Sequence, residues 1–428
     1  MIKIWADGEE AGFLDRWQER GTTFSYKPTL ASGRAVSLTM PVRVQSYDST
    51  AGLPPMFDMN LPEGALRERL RLRFAKATGR FDDYDLLTVV GRSQLGRLRY
   101  TGEEDRLDEA IPFQSVDEIL AGRRGGELYR YLLDRFAPVS GISGVQPKVL
   151  VSDPGALSLP EAVKRRLSES YRGATHIVKF WDANEFPELA ANEYFCLKAA
   201  ERCGLEVPAH RLSDDAAALV IDRFDLREDG TYRGFEDMCV LNGRLTEDKY
   251  RGSYESSVLK RFQRFSQSAQ VAEDMQKLFT LIVLNCALRN GDAHLKNFGV
   301  VYEDVLGEAR LAPVYDLVTT TVYLPQDQMA LTLNGTARWP EGRDLQRLGE
   351  IRLGSSPARV REVFERVSDA LAGTAADVRA YAAGHGEFAE IGARMLEEWE
   401  AGRRSLGAVA SRATRDWDSG SGAGRNPT

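Results

Sequence analysis

The spacing of apolar residues in the first hundred positions switches between the two-residue period of a strand and the three-to-four-residue period of a helix. Runs of β-branched and aromatic residues between turn residues predict strands, and Asn60 followed by Pro62 fits the start of a helix. The predicted elements are strands over 22–28, 35–44 and 96–100 and helices over 62–77 and 82–91. They predict a β-rich subdomain over residues 1–110, ending in a polar linker at 102–111.

The middle of the chain mixes both periods. Ser115 and Glu118 form a capping box at the start of a helical pattern over 115–136, which the glycines at 125–126 are expected to interrupt. The other predicted elements are strands over 148–151, 175–181, 218–223 and 231–235 and a helix over 188–203. This alternation predicts a small mixed α/β lobe over residues 111–238.

From about residue 240 onward the helical period dominates. Apolar residues at helical spacing over 271–289 predict a buried helix, and a second apolar stripe begins at Val360. We therefore predict a helical lobe over residues 239–418. The Gly/Ser-rich tail at 419–428 is predicted to be disordered.

The order of these parts predicts an α+β fold with the two lobes of a protein kinase, a small mixed α/β lobe and a larger helical lobe. The β-rich N-terminal subdomain precedes the two lobes. A layout of this kind does not define an activity by itself, because one fold serves many functions. The function must therefore be read from individual residues.

The composition limits the classes of function. The 428 residues are 43 % hydrophobic, as in a globular protein with a large core, and the net charge of −7 argues against autonomous binding to nucleic acid. The N-terminus lacks the apolar core of a secretory signal, and the most apolar stretch, at 278–288, is too short to span a bilayer. Four scattered cysteines without a C-x-x-C pair indicate a reducing compartment and no structural zinc site. We therefore expect a cytoplasmic protein without a membrane partner.

The segment NGDAHLKNFGV, directly after the predicted buried helix, carries the clearest chemical signal. Asp292 and Asn297 have the separation found in a kinase catalytic loop, where a carboxylate accepts the proton of the attacking hydroxyl and an amide oxygen binds magnesium. Gly291 is expected to permit an unusual backbone conformation just before the aspartate. Lys296 is predicted to neutralise charge on the transferred phosphoryl group. His294 is predicted to hold the loop by hydrogen bonds, or else to transfer protons.

A second acidic residue is predicted to bind the same magnesium ion. Asp316 ends the short apolar run LAPVYD, nineteen positions after Asn297, and strands over 298–302 and 309–314 would fill the interval. One carboxylate and one amide are hard oxygen ligands of the kind that Mg²⁺ prefers. The sequence therefore predicts a magnesium site formed by Asn297 and Asp316.

A kinase also needs a lysine on a strand to hold the α- and β-phosphates of ATP and a glutamate on a helix to hold that lysine, although a strand lysine taken alone more often faces solvent. Lys179 is a single charge inside the predicted strand THIVKFW, and Glu193 lies on the helix that follows it. Glu185 and Glu188 remain alternative partners for the lysine.

A glycine-containing loop precedes the first strand of the small lobe. In SGISGVQPK, Gly141 and Gly144 allow backbone amides to approach phosphate oxygens, and Lys148 adds a positive charge. The segment FEDMCV lies at the predicted boundary between the lobes, where a hinge would bind adenine near Glu236 and Met238. The loop, lysine, glutamate, hinge and acidic residues thus follow one another in kinase order, although the H-R-D and D-F-G spellings are absent.

These segments together resemble the HipA family of bacterial serine/threonine kinase toxins. The resemblance rests on ISGVQPK, THIVKF, NEYFCLKAAERCGLEVP, EDMC, NGDAHLKNFGV and APVYDL, with MFDMNLPEG and FDDYDLLTVVGR in the N-terminal subdomain. It covers most of the chain. It implies a cytoplasmic kinase that uses ATP and Mg²⁺ and acts as the toxin of a toxin–antitoxin pair.

The resemblance also implies roles and partners. The implied roles are catalytic base for Asp292, magnesium ligands for Asn297 and Asp316, phosphate-binding lysine for Lys179, and phosphate loop for Ser143, Gly144, Gln146 and Lys148. The usual substrate is a translation component, notably an aminoacyl-tRNA synthetase, whose phosphorylation halts growth. The usual partner is a small helix-turn-helix antitoxin like HipB, through which contact with DNA would be indirect.

One position departs from the family. The phosphate loop of the family often carries an autophosphorylated serine two residues before the position of Ser143, where this chain has Gly141. Ser143 and Ser140 remain as candidates, and a phosphate on Ser143 is predicted to expel the loop and switch the enzyme off. The alternative is a serine that only makes hydrogen bonds within the loop.

Two other functions remain open from the sequence. A small-molecule or lipid kinase would share a G-D-x-H-x-x-N catalytic loop. A kinase-like partner of a DNA-binding repressor without catalytic activity is a different class, but retention of Lys179, Asp292, Asn297 and Asp316 argues against it.

Overall fold

Strands in the described part of the chain form three antiparallel sheets of five, four and three strands. The computed structural model describes residues 1–18, 20–78, 81–122, 126–181, 186–266 and 269–407. Glu185 and the tail predicted at 419–428 lie outside these ranges, and the predicted domain limits at 110, 238 and 418 stay predictions. Among the described residues, no helix combines the length and the apolar character needed to cross a bilayer.

The N-terminal subdomain contains the five-stranded sheet, in the order β4-β3-β2-β1-β5, together with α-helices. Its strands are β1 (Ile2–Ala6), β2 (Glu9–Trp17), β3 (Gly21–Tyr26), β4 (Tyr47–Ser49) and β5 (Leu98–Gly102), and its helices are α1 (Pro55–Asp58), α2 (Gly64–Thr78) and α3 (Asp83–Val90). Alternate residues of β1 are buried, as the two-residue period requires, with Ile2, Ile4 and Ala6 in the core. The helices predicted over 62–77 and 82–91 are confirmed as α2 and α3.

The strand predicted over 35–44 is wrong. Only an isolated bridge between Ser37 and Met40 forms there, and the strand next to β3 is β4. The Ser37 hydroxyl and the Leu38 amide instead donate hydrogen bonds to the buried carboxylate of Glu236, at 2.8 and 2.7 Å. The polar groups of this segment are thus paired with a side chain that is distant in the sequence, Glu236, rather than with a neighbouring strand.

The small lobe contains the four-stranded sheet, in the order β6-β7-β9-β8. Its strands are β6 (Lys148–Val151), β7 (His176–Phe180), β8 (His210–Leu212) and β9 (Ala218–Asp222), and its helices are α4 (Val116–Leu120), α5 (Gly126–Phe136), α6 (Glu161–Ser170) and α7 (Leu189–Arg202). Ser115 caps α4 by accepting a hydrogen bond from the Glu118 amide, which is one of the two hydrogen bonds of the predicted capping box. All five residues of β7 are buried, so this strand lies between α7 and the rest of the lobe.

The larger lobe is mainly helical and carries the three-stranded sheet β10-β11-β12. Its strands are β10 (Gly234–Asp237), β11 (Gly299–Tyr302) and β12 (Ala309–Leu311), and its helices are α8 (Met238–Leu241), α9 (Lys260–Phe265), α10 (Val271–Leu288), α11 (Gly342–Leu353), α12 (Pro357–Gly384) and α13 (Ala389–Gly407). The predicted buried helix over 271–289 is confirmed as α10, which packs against α12 and α13. Because α10 is anchored in this core, the loop that follows its C-terminus is held in a fixed position.

Candidate active site

One cavity of about 1170 Å³ is lined by the N-terminal domain and by both lobes. Most residues predicted for the site line it. They are Ser143, Gly144, Gln146, Lys148, Lys179, Glu193, Asp292, His294, Lys296, Asn297 and Asp316. Glu236 and Met238 are not among the residues that line this cavity.

A buried ion-pair network lies at the small-lobe side of the cavity. The Lys179 ammonium on β7 is 2.5 Å from Oε1 of Glu193 on α7 and also contacts the Asp316 carboxylate. Burial lowers the pKa of Lys179, but the carboxylates of Asp316 and Glu193 outweigh it and keep this pKa above its ordinary value. The lysine therefore stays charged in the cleft. The alternative partner Glu188 begins α7 with a left-handed backbone and makes no ion pair with Lys179 in the described part of the chain.

Asp316 connects this network to the phosphate loop. Its backbone is left-handed, with φ of 52°, and Nζ of Lys148 lies 3.9 Å from its second carboxylate oxygen. Burial would raise the pKa of Asp316, but Lys148 and Lys179 hold it well below the ordinary range. The carboxylate is thus ionised at neutral pH. The left-handed conformation is uncommon for a residue other than glycine and is typical of functional sites.

The catalytic-loop candidate follows α10 directly. Asn297 donates its amide hydrogens to the backbone oxygens of Asp292, at 3.0 Å, and of Asp316, at 3.4 Å. These bonds connect the predicted catalytic base with the two predicted magnesium ligands. The same bonds leave the amide oxygen of Asn297 available to accept or to ligate, which fits the predicted role.

Gly291 is required for space rather than for its backbone conformation. Its φ is not positive, so the unusual conformation predicted for it is wrong. A Cβ atom at this position would overlap the carboxylate of Asp327 and lie 2.7 Å from the backbone oxygen of Gln328. The loop can therefore approach residues 327–328 only because the side chain is absent.

Asp292 is reachable from the cavity, since 51 % of its side-chain surface is exposed. Its Oδ1 accepts a hydrogen bond of 2.8 Å from the Tyr250 hydroxyl. Partial burial raises the pKa of the Asp292 carboxyl, and the Tyr250 hydrogen bond acts in the opposite direction. The carboxylate is thus placed to accept an O–H, which is the contact that a general base needs. Sequence reasoning missed Tyr250, because no motif in the sequence indicates its distance from Asp292.

His294 is buried against the ring of Tyr250, with the ring centroids 5.1 Å apart in an edge-on arrangement. The backbone amide of His294 donates to the backbone oxygen of Asp292 at 2.7 Å, and the backbone oxygen of His294 accepts from the backbone amide of Asn297. Burial and the nearby charge of Lys249 lower the pKa of His294 to about 3, so the ring is neutral at physiological pH. The hydrogen bonds are made by the backbone of His294, and Nδ1 of its ring has no hydrogen-bond partner among the described residues, so both predicted roles of the ring stay predictions.

Lys296 has a different environment from the predicted one. Its ammonium donates to the backbone oxygen of Met59 at 2.7 Å and to Oδ2 of Asp237 at 3.0 Å. Only 8 % of its side chain is exposed. The charge of Lys296 is therefore already compensated, and the side chain anchors the catalytic loop to β10 and to the N-terminal domain.

The phosphate-loop candidate lies opposite, between α5 and β6. Gly144 has φ of 124°, and a Cβ there would overlap the ammonium of Lys148. The side-chain amide of Gln146 donates to the backbone oxygen of Phe180 at 3.1 Å. Lys148 on β6 lies directly opposite Lys179 on β7 in the register of the sheet. Burial lowers the pKa of Lys148, and the neighbouring charge of Lys179 lowers it further. Two lysines and two carboxylates, those of Asp316 and Glu193, thus lie together beside the phosphate-loop candidate.

Packing explains the glycine at position 141. A Cβ at Gly141 would lie 2.5 Å from both the Ser93 oxygen and the Gln94 side chain, so a serine has no space there. Ser140 is fully buried, donates to the Phe136 oxygen and accepts from the Leu150 amide. Ser143, in contrast, is half-buried and lines the cavity. Of the two serines, only Ser143 is therefore accessible to modification.

The predicted hinge contact is wrong for Glu236 and Met238. Glu236 is fully buried, and its carboxylate is directed away from the cavity toward Ser37, Leu38 and Tyr302. The Met238 amide donates to the Phe298 oxygen at 2.9 Å and is not free for adenine. Burial raises the pKa of Glu236 to about 6, although three hydrogen bonds oppose this effect. Phe235 and Asp237, their neighbours on β10, do line the cavity.

The fold and the arrangement of the site define a two-lobed, kinase-like protein. Profiles of two domains match the sequence, the HipA N-terminal domain over residues 2–101 and the HipA-like C-terminal domain over residues 140–375. The second match alone covers more than half of the chain. The chain therefore belongs to the HipA family.

Similar proteins agree with this family. Two proteins of Sinorhizobium fredii (strain NBRC 101917 / NGR234), provisionally named as the kinases Y4mE and Y4dM, are 29 % and 28 % identical. These matches cover 76 % and 79 % of this chain and 78 % and 82 % of the relatives. A solved structure of HipA from Shewanella oneidensis MR-1, in complex with HipB and operator DNA, has the same fold, with a TM-score of 0.66 and 17 % identity over 94 % of this chain and 97 % of that one.

Proposed function

We propose that this chain is an ATP- and Mg²⁺-dependent serine/threonine protein kinase that acts as the toxin of a toxin–antitoxin pair. The observation that carries the proposal is the convergence of Lys179, Glu193, Asp292, Asn297 and Asp316 on one cavity. A kinase requires these groups together, because phosphoryl transfer depends on positioning and charge stabilisation.

The residues present fit a nucleotide with its metal. Lys148 and Lys179 are cations beside the phosphate loop, and Lys179 is fixed by Glu193 as a phosphate-binding lysine should be. Asp316 and the amide oxygen of Asn297 are the hard oxygen ligands that would hold Mg²⁺. When bound there, Mg²⁺ would neutralise negative charge on the phosphates of ATP.

The remaining chemistry belongs to the residues of the chain. The Asp292 carboxylate accepts the proton of the acceptor hydroxyl as the new bond between that oxygen and the γ-phosphorus forms and the bond to the ADP oxygen breaks. Lys179 holds the α- and β-phosphates, and Asn297 fixes the backbone of Asp292 through its amide. Lys296 takes no direct part, since Asp237 and Met59 already engage its ammonium.

The biological role follows from the family. We propose a helix-turn-helix antitoxin as partner because the similar Shewanella protein forms its complex with HipB and operator DNA. The net charge of −7 makes direct DNA binding unfavourable, so a basic partner would supply the contact with DNA. The proposed substrate is a translation component such as an aminoacyl-tRNA synthetase, whose phosphorylation would inhibit growth.

Labelled phosphate tests the proposal. The purified chain is incubated with Mg²⁺, γ-labelled ATP and a bacterial lysate, and the products are separated into proteins and metabolites. We expect label on phosphoserine or phosphothreonine of a protein, lost in Asp292→Asn and retained in the surface variant Asp304→Asn. Label in a metabolite would indicate a small-molecule kinase instead, and absence of any label would contradict catalytic activity.

Autophosphorylation of Ser143 is proposed as the means of control. Ser143 is the accessible serine of the loop, and a phosphate there would add negative charge beside the phosphates of ATP. Phosphopeptide mapping after incubation with Mg-ATP is expected to find the modification in the wild type and not in Asp292→Asn. An unmodified Ser143 in an active enzyme would contradict this part of the proposal.

A further inference from the structure

Most of the N-terminal residues that line the cavity stand in one short segment, residues 58–65, and Leu95 lines it as well. The carboxylate of Asp58 accepts from the Thr246 amide at 2.7 Å, and the Met59 oxygen accepts from Lys296. Met59, Asn60 and Glu63 line the cavity itself. The segment is therefore one wall of the cleft, with contacts to the larger lobe at its start.

Glu63 makes the most direct contact with the proposed machinery. Its Oε1 accepts a hydrogen bond of 2.5 Å from the Ser143 hydroxyl, and its Oε2 is 2.7 Å from the ammonium of Lys249. The next residue, Gly64, has φ of 50°, and a Cβ atom at this position would lie only 2.8 Å from the backbone oxygen of Val145. The segment thus lies directly against the phosphate loop on one side and the larger lobe on the other.

The burial and the charges of Glu63 and Lys249 indicate a specific contact. Glu63 and Lys249 expose only 17 % and 7 % of their side chains, so their charges are largely removed from water. Although burial raises the pKa of Glu63, the hydrogen bonds from Lys249 and Ser143 outweigh it, and this pKa lies below its ordinary value. The carboxylate is therefore charged when it accepts the Ser143 hydroxyl, and charged acceptors form the stronger hydrogen bonds.

We propose that Glu63 is a positioning residue of the active site, which ties the phosphate loop, through Ser143, to the larger lobe, through Lys249. The N-terminal domain then contributes to catalysis by holding the loop over the nucleotide. The use of this contact in catalysis rests on the proposed kinase function. The contact itself does not.

The same contact explains how Ser143 could control the loop. The hydroxyl of Ser143 donates to Glu63, whereas a phosphoryl group at this position has no hydrogen to donate at neutral pH and would carry nearly two negative charges. It would face the Glu63 carboxylate directly and repel it. The loop would lose its hydrogen bond to Glu63 at the moment of modification.

Hydrogen exchange of the loop tests the contact without nucleotide. In Glu63→Ala, we expect amide exchange over residues 143–146 to accelerate by about tenfold, the effect of losing a charge-assisted hydrogen bond of about 1.4 kcal/mol. The matched control is Glu68→Ala, a glutamate on α2 that pairs at the surface with Arg71 and should leave the loop unchanged. Equal protection in wild type and Glu63→Ala would overturn the proposal even if the chain is an active kinase.

Enzyme kinetics then test the positioning role. We expect Glu63→Gln to raise the KM for ATP by about tenfold with a smaller change in kcat, because the loop would hold the phosphates less firmly. Ser143→Ala should raise the KM for ATP by a similar factor. The double variant Glu63→Gln/Ser143→Ala should raise this KM no more than either single variant does. Additive effects would contradict a shared contact, and an unchanged KM in an active Glu63→Gln would overturn the positioning role. A wild type that transfers no phosphate would instead refute the kinase function and leave the exchange result to decide on the contact.

Discussion

Lys179 and Lys296 are both buried lysines beside the same cavity, but their surroundings differ. Lys179 lies between Glu193 and Asp316 at the small-lobe wall, where an anionic ligand can share its charge. Lys296 lies in the catalytic loop and is engaged by Asp237 and by the Met59 oxygen. Both lysines are ion-paired, and the comparison teaches that their location separates them: Lys179 lies beside Lys148 and the phosphate-loop candidate, whereas Lys296 connects the catalytic-loop candidate to β10 and to the N-terminal domain.

Replacement of Lys179 should give the largest effect. Lys179→Met removes the cation that is proposed to hold the phosphates, and we expect kcat/KM for phosphoryl transfer to fall by about 10²–10³-fold, as for loss of one key electrostatic group. Transfer of labelled phosphate under saturating Mg²⁺ measures the loss. A variant that kept more than a tenth of wild-type activity would break the distinction between the two lysines.

Lys296→Met should act on stability instead. Removal of one partner of a buried ion pair leaves Asp237 uncompensated, and we expect about 3 kcal/mol less free energy of unfolding, measured by denaturant titration. Lys277→Met, which breaks only a surface pair with Glu273, should cost less than about 1 kcal/mol. Unchanged stability together with a loss of transfer as large as in Lys179→Met would restore the catalytic role first predicted for Lys296.

The attachment of the N-terminal domain should weaken in acid. Because the pKa of Glu63 is lower in the folded chain than the ordinary value of about 4.3, its contribution is present above that pH and is lost as the pH falls through the lowered value. We expect the wild type to exceed Glu63→Gln in free energy of unfolding by about 1–2 kcal/mol at pH 7, and the difference to shrink toward pH 3. A difference independent of pH would show that the charge of Glu63 is not responsible.

The smallest effect is expected at Tyr250. Its hydroxyl donates to Oδ1 of Asp292, so Tyr250→Phe should free this oxygen for water. We expect slow ATP hydrolysis without a protein acceptor to rise several-fold, as one hydrogen bond of about 1 kcal/mol allows. Phosphate release assays measure it. Slower hydrolysis would indicate that Tyr250 orients Asp292 rather than covering it.

Sequence reasoning located the local parts of the site and missed the long-range ones. The spacing of Asp292 and Asn297 and the succession of a strand lysine and a helix glutamate are local patterns, and the structure brings these residues to one cavity. The hinge prediction for Glu236 was wrong because its partners, Ser37 and Leu38, lie two hundred residues earlier in a segment predicted to be a strand.

The roles of Glu63 and Tyr250 have the same origin. Both residues stand in segments without a motif for catalysis, and each reaches the cleft only through contacts between distant parts of the chain. Gly141 is comparable, because the reason for the missing serine is the proximity of Ser93 and Gln94. Spacing along a sequence cannot report such contacts, since they depend on how the N-terminal domain packs against the two lobes.

Calorimetric titration with a non-hydrolysable ATP analogue tests the central claim most directly. The claim predicts one analogue bound per chain, with affinity that depends on Mg²⁺ in the wild type. It predicts that Asp316→Asn loses the Mg²⁺ dependence and that Lys179→Met binds at least tenfold more weakly, while Lys277→Met binds like the wild type. Equal affinity in all four proteins, or no binding to the wild type, would contradict the assignment of this cleft as a nucleotide site.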